Sequence, residues 1–227
     1  MSISIRTYQP MDEPAIIEIT FKTGLVGEDL TGRGYCDDAR LWYLIFIGYY
    51  ASYEPENFFV AAESETDKVV GFICGTPDTR MQEVHFRKKM VPRIGLRFFG
   101  YTSWRYPHTF KTVFGLLRYY ISNPENAGND HIIKQYPAHL HINLLPDFQS
   151  QGMGTRLMKH FEAHMMGLGV QGIHLGTTNK NHKAVPFYHK MGFEIVRESE
   201  IMPHPLFDDL RHLTFAKKLD TQPVKTY

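Results

Sequence analysis

The stretch LLPDFQSQGMGTRLMKHF, Leu144–Phe161, decides how this chain is read. A hydrophobic run stops at Pro146, a polar turn carries two glycines as Gly152-x-Gly154, and a helical apolar pattern then begins. The first N–H groups of a helix have no partner within it, and the helix dipole makes that end positive. Glycine in the lead-in lets a ligand come close to the main chain. The turn is therefore either an anion-binding nest or simply a tight strand-to-helix connection. It is not a Walker loop, since no Gly-Lys-Ser/Thr follows. Nor is it the dinucleotide fingerprint, because the spacing runs Gln149-x-x-Gly152-x-Gly154.

Working outward, AHLHINLL before the turn reads as a strand, and QGIHLGTT after the helix reads as another. A helix separates them, so the two strands are expected to pair in parallel. HKAVPFYHKMG then reads as helix, with FEIVRESEIM and LRHLTFAKKL as closing strands. Towards the N-terminus, SISIRTY alternates like a strand. MDEPAIIEITFKTG reads as a helix with Asp12 as N-cap and Gly24 as its stop, and a second helix is expected from Asp37 or Asp38 through Tyr53. NFFVAAES and KVVGFICGT form a hairpin around ETDK. The predicted order is β α α β β, an insertion, then β α β α β β.

The 227 residues suit one domain carrying a sizeable insertion, and 43% hydrophobic with 22% charged residues is ordinary for a soluble globular chain. The start, MSISIRTYQP, lacks the apolar core of a signal peptide, and LWYLIFIGYYASY is too short to span a bilayer. These features point to a cytoplasmic protein with no membrane partner. Cys36 and Cys74 share no metal-like spacing and argue for no disulfide framework. His160 and His164 lie one helical turn apart, but Glu162 is misplaced for a zinc-protease helix and no third ligand is evident, so no metal is expected.

Beyond the turn stands NHKAVPFYHKMGF, with Asn181, Ala184, Tyr188, Gly192 and Phe193 in fixed register. With the Q-x-x-G-x-G turn, this second segment resembles the GNAT superfamily of acetyl-CoA-dependent N-acyltransferases, most clearly from Ala138 to Val196. YPAHLHINLLPDFQSQGMG is similar, more narrowly, to bacterial relatives of the acetyltransferase-like region of O-GlcNAc hydrolases. The resemblance implies an α/β (α+β) fold over residues 1–227 as a single domain. A central, mixed, twisted sheet of about seven strands would be flanked by helices, with a helical insertion at 79–130 between the third and fourth strands.

It also implies that acetyl is transferred from acetyl-CoA to a primary amine, on a small molecule or peptide, by direct attack in a ternary complex. The turn from Gln149 through Ser150, Gln151, Gly152, Met153 and Gly154 to Thr155 would cradle the coenzyme pyrophosphate. Leu144 and Leu145 would offer main-chain hydrogen bonds to coenzyme and thioester, and Asn181 would contact the pantetheine arm or simply cap its helix. Tyr188 matches the tyrosine expected to protonate the departing thiolate. A general base is sought among His139 and His141, which share a strand face with Asn143, with Asp130 as a third option. The competing reading is a non-catalytic acyl-CoA-binding or peptide-binding module on the same fold. As assembly, a monomer or homodimer is expected.

The insertion is unusual in charge. From Val84 to Pro124 there is no Asp or Glu, while Arg87, Lys88, Lys89, Arg93, Arg97, Arg105, Lys111 and Arg118 are basic. Ten aromatics, from Phe86 to Tyr120, alternate with them. The pattern predicts an added helical layer with an aromatic core and a basic outer face, or alternatively a wall on the acceptor side. The near-neutral net charge of +1 argues against nucleic acid. Glu28 and Asp29, in the glycine-punctuated loop between the first two helices, and the segment EIMPHPLFDDL are the remaining candidates to shape an acceptor site.

Overall fold

The computed structural model describes residues 2–110, 113–114, 130–202, 204 and 206–220. Seven strands form one sheet in the order β1-β2-β3-β4-β5-β7-β6. They are β1 (Ile3–Thr7), β2 (Phe58–Glu63), β3 (Val69–Thr76), β4 (Ala138–Leu144), β5 (Gly172–Thr178), β6 (Glu194–Glu198) and β7 (His212–Lys218). All neighbouring pairs are antiparallel except β4 and β5, which are parallel as their intervening helix requires. β2 and β3 are buried at every position, which explains why FFVAAE and VVGFICGT are continuously apolar instead of alternating.

Helices cover both faces. On one lie α1 (Glu13–Lys22), α2 (Ala39–Phe46), α3 (Gly48–Tyr53) and α4 (Thr79–Arg97), burying Ile16, Tyr43, Tyr49, Tyr50 and Met90 against Phe58, Phe72 and Cys74. A short α5 (Asp130–Gln135) precedes β4. On the other face lie α6 (Met153–Gly167) and α7 (Ala184–Lys190). Leu157, Met158, Phe161 and Met165 of α6 pack there on Ile73, Leu140, Ile173 and Phe215. Gly75 permits the close seating of α6, since a Cβ there would run into the His139 carbonyl and the Phe161 ring.

Three expectations change. The helix expected through Tyr53 is two helices, broken at Ile47 (φ −121°) before Gly48, where Met90 of α4 packs close against the glycine. Asp12 does not cap α1 with its side chain. Its carboxylate instead takes two hydrogen bonds from Arg6, at 2.8 and 2.9 Å, and the Gln9 N–H at 2.8 Å. The strand expected over FEIVRESEIM is confined to Glu194–Glu198, where its register with β7 shifts.

The insertion is helical where it is described: α4, then a π-helical turn (Phe98–Thr102) and a helical turn at Ser103–Arg105. Most of TFKTVFGLLRYYI, including Lys111, Arg118, Tyr119 and Tyr120, lies outside the described residues. The segment is fastened to the start of α2. Asp38, 2% exposed, caps Leu41 N–H and accepts from Arg97 at 2.9 and 3.0 Å and from the Thr102 hydroxyl. The Thr109 hydroxyl adds a bond from Asp37 N–H at 3.1 Å. The described outer face of the segment carries exposed Arg87, Lys88, Lys89, Arg93 and Arg105, and with them Leu96, Phe99 and Trp104 at 78%, 68% and 85% exposure.

Candidate functional site

The pairing of β4 with β5 stops after two residue pairs, Ala138 with Ile173 and His139 with His174. Beyond them the strands part. Leu145 N–H donates to Val70 carbonyl at 3.0 Å, and antiparallel alternation then turns the main-chain groups of Ile142 and Leu144 away from β3, into the gap. The gap opens into a cleft of about 280 Å³.

One wall is the glycine turn. Gly152 is the N-cap of α6 in a left-handed conformation (φ 81°), and no side chain caps the helix. The first intrahelical bond recorded at this end is Arg156 N–H to Gly152 carbonyl, so the N–H groups of Met153, Gly154 and Thr155 remain available at the positive end of a 15-residue helix. Gly152, Gly154 and Thr155 line the cleft, as do Gln149 and Ser150. Ser150 also has a positive φ, 60°. Gln149 ties this wall together: its amide donates to Leu144 carbonyl at 2.8 Å and accepts from Lys183 at 3.1 Å.

The opposite wall is α7 and its lead-in, where Asn181, Lys183, Phe187, Tyr188 and Lys190 reach the cleft. Asn181 Oδ1 caps Ala184 N–H at 3.1 Å, and Gly27 (φ 88°) from the α1–α2 loop packs against the same amide. Tyr188 is 7% exposed, and burial pushes its phenol well above the ordinary value. Its hydroxyl forms no hydrogen bond among the described residues. Thr23 and Asn143 close one end, joined by a 2.7 Å bond from the asparagine amide to the hydroxyl.

The structure therefore gathers Leu144, Gln149, Ser150, Gly152, Gly154, Thr155, Asn181 and Tyr188 around one cavity. It leaves Leu145, Gln151 and Met153 outside the lining. Leu145 N–H is spent on β3, Gln151 turns back to Asp147 carbonyl, and the Met153 side chain is core. Sequence reasoning missed Thr23, Gly27, Lys183 and Lys190. The lysines flank the Asn181 motif and were findable as cations near an anion nest, whereas the α1–α2 side carried no local signal.

The histidines stand apart from the cleft lining. His139 Nδ1 pairs with the Tyr50 hydroxyl at 3.0 Å, and its ring lies 4.8 Å from His141 and 5.2 Å from His174. Burial first, then the neighbouring imidazoles, depress His139 well below its usual range, and burial lowers His141 to about 4. Both are thus neutral near pH 7. Asp130 is 93% exposed and lies 3.7 Å from Arg80, also outside the lining. Cys74 is fully buried, with its thiol pushed well above the usual range by desolvation, so it offers no nucleophile. Among the described residues no group of His, Cys, Asp or Glu is arranged to hold a metal, and no helix is long and apolar enough to cross a membrane.

Residues 95–193 match the model of the Acetyltransferase (GNAT) family. Solved structures agree over nearly the whole chain. SsHAT shares 27% identity at a TM-score of 0.71, covering 96% of this chain and 99% of its own. An N-acetyltransferase from Staphylococcus aureus Mu50 superposes at 0.59 with 11% identity, over 96% and 99% of the two chains. YncA from Salmonella typhimurium, solved with its cofactor acetyl-CoA, superposes at 0.58 with 13% identity, over 100% and 99%. The last two likenesses speak for the fold alone, and the family match is confined to residues 95–193. Residues 95–193 are thus similar in sequence to the Acetyltransferase (GNAT) family, and the architecture of nearly the whole chain is that of these solved structures.

Proposed function

We propose that this enzyme transfers acetyl from acetyl-CoA to the primary amine of a small molecule or peptide, by direct attack within a ternary complex. One observation carries the reading: the uncapped N-terminus of α6 faces a cleft whose opposite wall brings Lys183 and Lys190. Free N–H groups, a left-handed glycine and two cations fit a diphosphate chain. Acetyl-CoA supplies the activated thioester. The protein's own groups do the rest. Main-chain groups of Ile142 and Leu144 meet an extended amide-bearing arm, and the Asn181 amide borders its path. Tyr188, kept protonated by burial, donates its phenolic proton to the leaving thiolate.

Neither His139 nor His141 has the basicity to hold a proton taken from an ammonium group near pH 7. The amine enters neutral, its proton leaves through solvent at the Thr23–Asn143 end after attack, and a proton from solvent restores the Tyr188 phenol. The rate should then rise with pH along the acceptor's own ionisation, without an inflection near 6.5 from an ordinary histidine.

Gly24, next to Thr23, packs on Trp42, which belongs to an aromatic chain outside the cleft lining. Tyr35 meets Trp42 at 6.1 Å and His204 at 4.6 Å, Trp42 meets Phe46 at 4.6 Å, and Phe46 meets His141 at 6.5 Å. Glu28 is already paired with Arg33, and Asp29 accepts the Thr31 N–H, so neither is held in reserve for a cationic acceptor. An amine carried on an aromatic or apolar body suits this wall better than a polyamine. Calorimetry with acetyl-CoA, followed by thiol release over an amine panel, tests the whole reading. Tyr188→Phe should cost on the order of 10²–10⁴-fold in kcat while coenzyme affinity holds. An unchanged kcat removes Tyr188 from the mechanism, and binding without release on any amine leaves the non-catalytic module.

A further inference from the structure

We propose that the outer face of α4 and the π-helical turn after it is a docking surface for an anionic lipid bilayer, separate from the acetyl-transfer cleft. α4 buries Phe86, Met90 and Ile94 towards α2 and α3. The opposite ridge, which an ordinary surface helix makes polar, carries Met81, Val84 and Val91 at 52%, 39% and 50% exposure. It runs on through Leu96, Phe99 and Trp104, the three most exposed apolar side chains of the segment. The Trp104 indole N–H is satisfied by Phe99 carbonyl at 3.2 Å, so its ring projects with no donor to lose on leaving water.

Basic side chains are interspersed with this ridge, Lys88 lying on it between Val84 and Val91. Arg80, Arg87, Lys88, Lys89, Arg93 and Arg105 are all exposed, against Glu83 as the single acidic residue of α4. An apolar crest interspersed with lysine and arginine is the pattern of a helix lying in the headgroup region of a membrane. A two-fold contact between copies would set one group of cations against the other, which like-charge repulsion opposes. Nucleic acid asks for cations as the dominant contact, and here the most exposed side chains, Leu96, Phe99 and Trp104, are apolar.

Trp42 and Trp104 are the only tryptophans, so Trp42→Phe in the full chain leaves Trp104 as the sole reporter. Mixed with vesicles of phosphatidylcholine and phosphatidylserine, its emission should shift to the blue, and the shift should reverse in high salt. Lys88→Glu and Lys89→Glu should each weaken binding roughly five-fold or more, and Leu96→Glu should abolish it with the far-ultraviolet spectrum unchanged. No shift with these vesicles overturns the proposal, and so does an equal shift with phosphatidylcholine alone. Retention on single-stranded RNA without vesicle binding assigns the face to nucleic acid and overturns it too. Concentration-dependent self-association in place of vesicle binding does the same.

Discussion

Replacing Asp38 with alanine tests the joint between the insertion and the body of the protein. Asp38 is 2% exposed and supplies three services at once: the N-cap of α2, a bidentate partner for Arg97, and the acceptor for the buried Thr102 hydroxyl. Losing a cap costs about 1 kcal/mol. Breaking a buried ion pair on one side costs about 3 kcal/mol, the low end applying because Arg97 keeps 30% of its side chain in water. Thr102 would retain only a 3.4 Å contact to Arg97 carbonyl. The sum is about 4 kcal/mol, or a fall in Tm of roughly 8–16 °C for a chain of this size. Asp38→Asn keeps the cap and should cost about half as much. Urea unfolding followed by circular dichroism measures both. In a double-mutant cycle with Arg97→Met, the coupling should exceed about 1 kcal/mol. The reasoning fails if Asp38→Ala costs less than about 1 kcal/mol, or if asparagine is as damaging as alanine.

Two further substitutions probe the cleft and the histidines. Gly152→Ala meets no steric obstacle in the protein, but its φ of 81° costs an L-residue about 1–2 kcal/mol. The new Cβ should also cut acetyl-CoA affinity at least roughly ten-fold by crowding the nest; full retention of affinity would show that this turn holds no phosphate. His141 titrates near 4 in the fold and near 6.5 when unfolded, so the unfolded chain binds the extra proton. Its contribution is complete above pH 6.5 and is lost as pH falls towards 4, up to about 3 kcal/mol. His141→Gln should flatten the stability profile across that window, and an unaltered slope would refute the assignment.

Much of this was legible in the chain because it is written in local patterns. The Gly152-x-Gly154 turn and the Asn181–Phe193 segment carry their conformations in glycine placement and helix spacing, and they fall where that spacing puts them. Long-range partners are not written locally. Nothing in the sequence ties Asp38 to Arg97, 59 residues away, or brings Gly27 against Asn181. Asp12 reads as a cap until the fold sets Arg6 beside it. His139 and His141 look like bases on a strand, and only burial in the fold, with the neighbouring imidazoles around His139, removes that basicity. Composition shows the insertion's cations, which are exposed where described, but not that Leu96, Phe99 and Trp104 share that surface.

The early end of the β4–β5 ladder has one more consequence. Most sheets keep their unpaired edges at the perimeter, where they invite stray strands and aggregation. This one has an additional pair of edges in its interior, along Ile142–Leu144 and the later residues of β5. They are shielded because the wedge narrows to a closed ladder at Ala138, so another protein's strand cannot slide in lengthwise. A slender chain bearing amides can. The molecule thus holds a vacant strand position that admits guests by thickness.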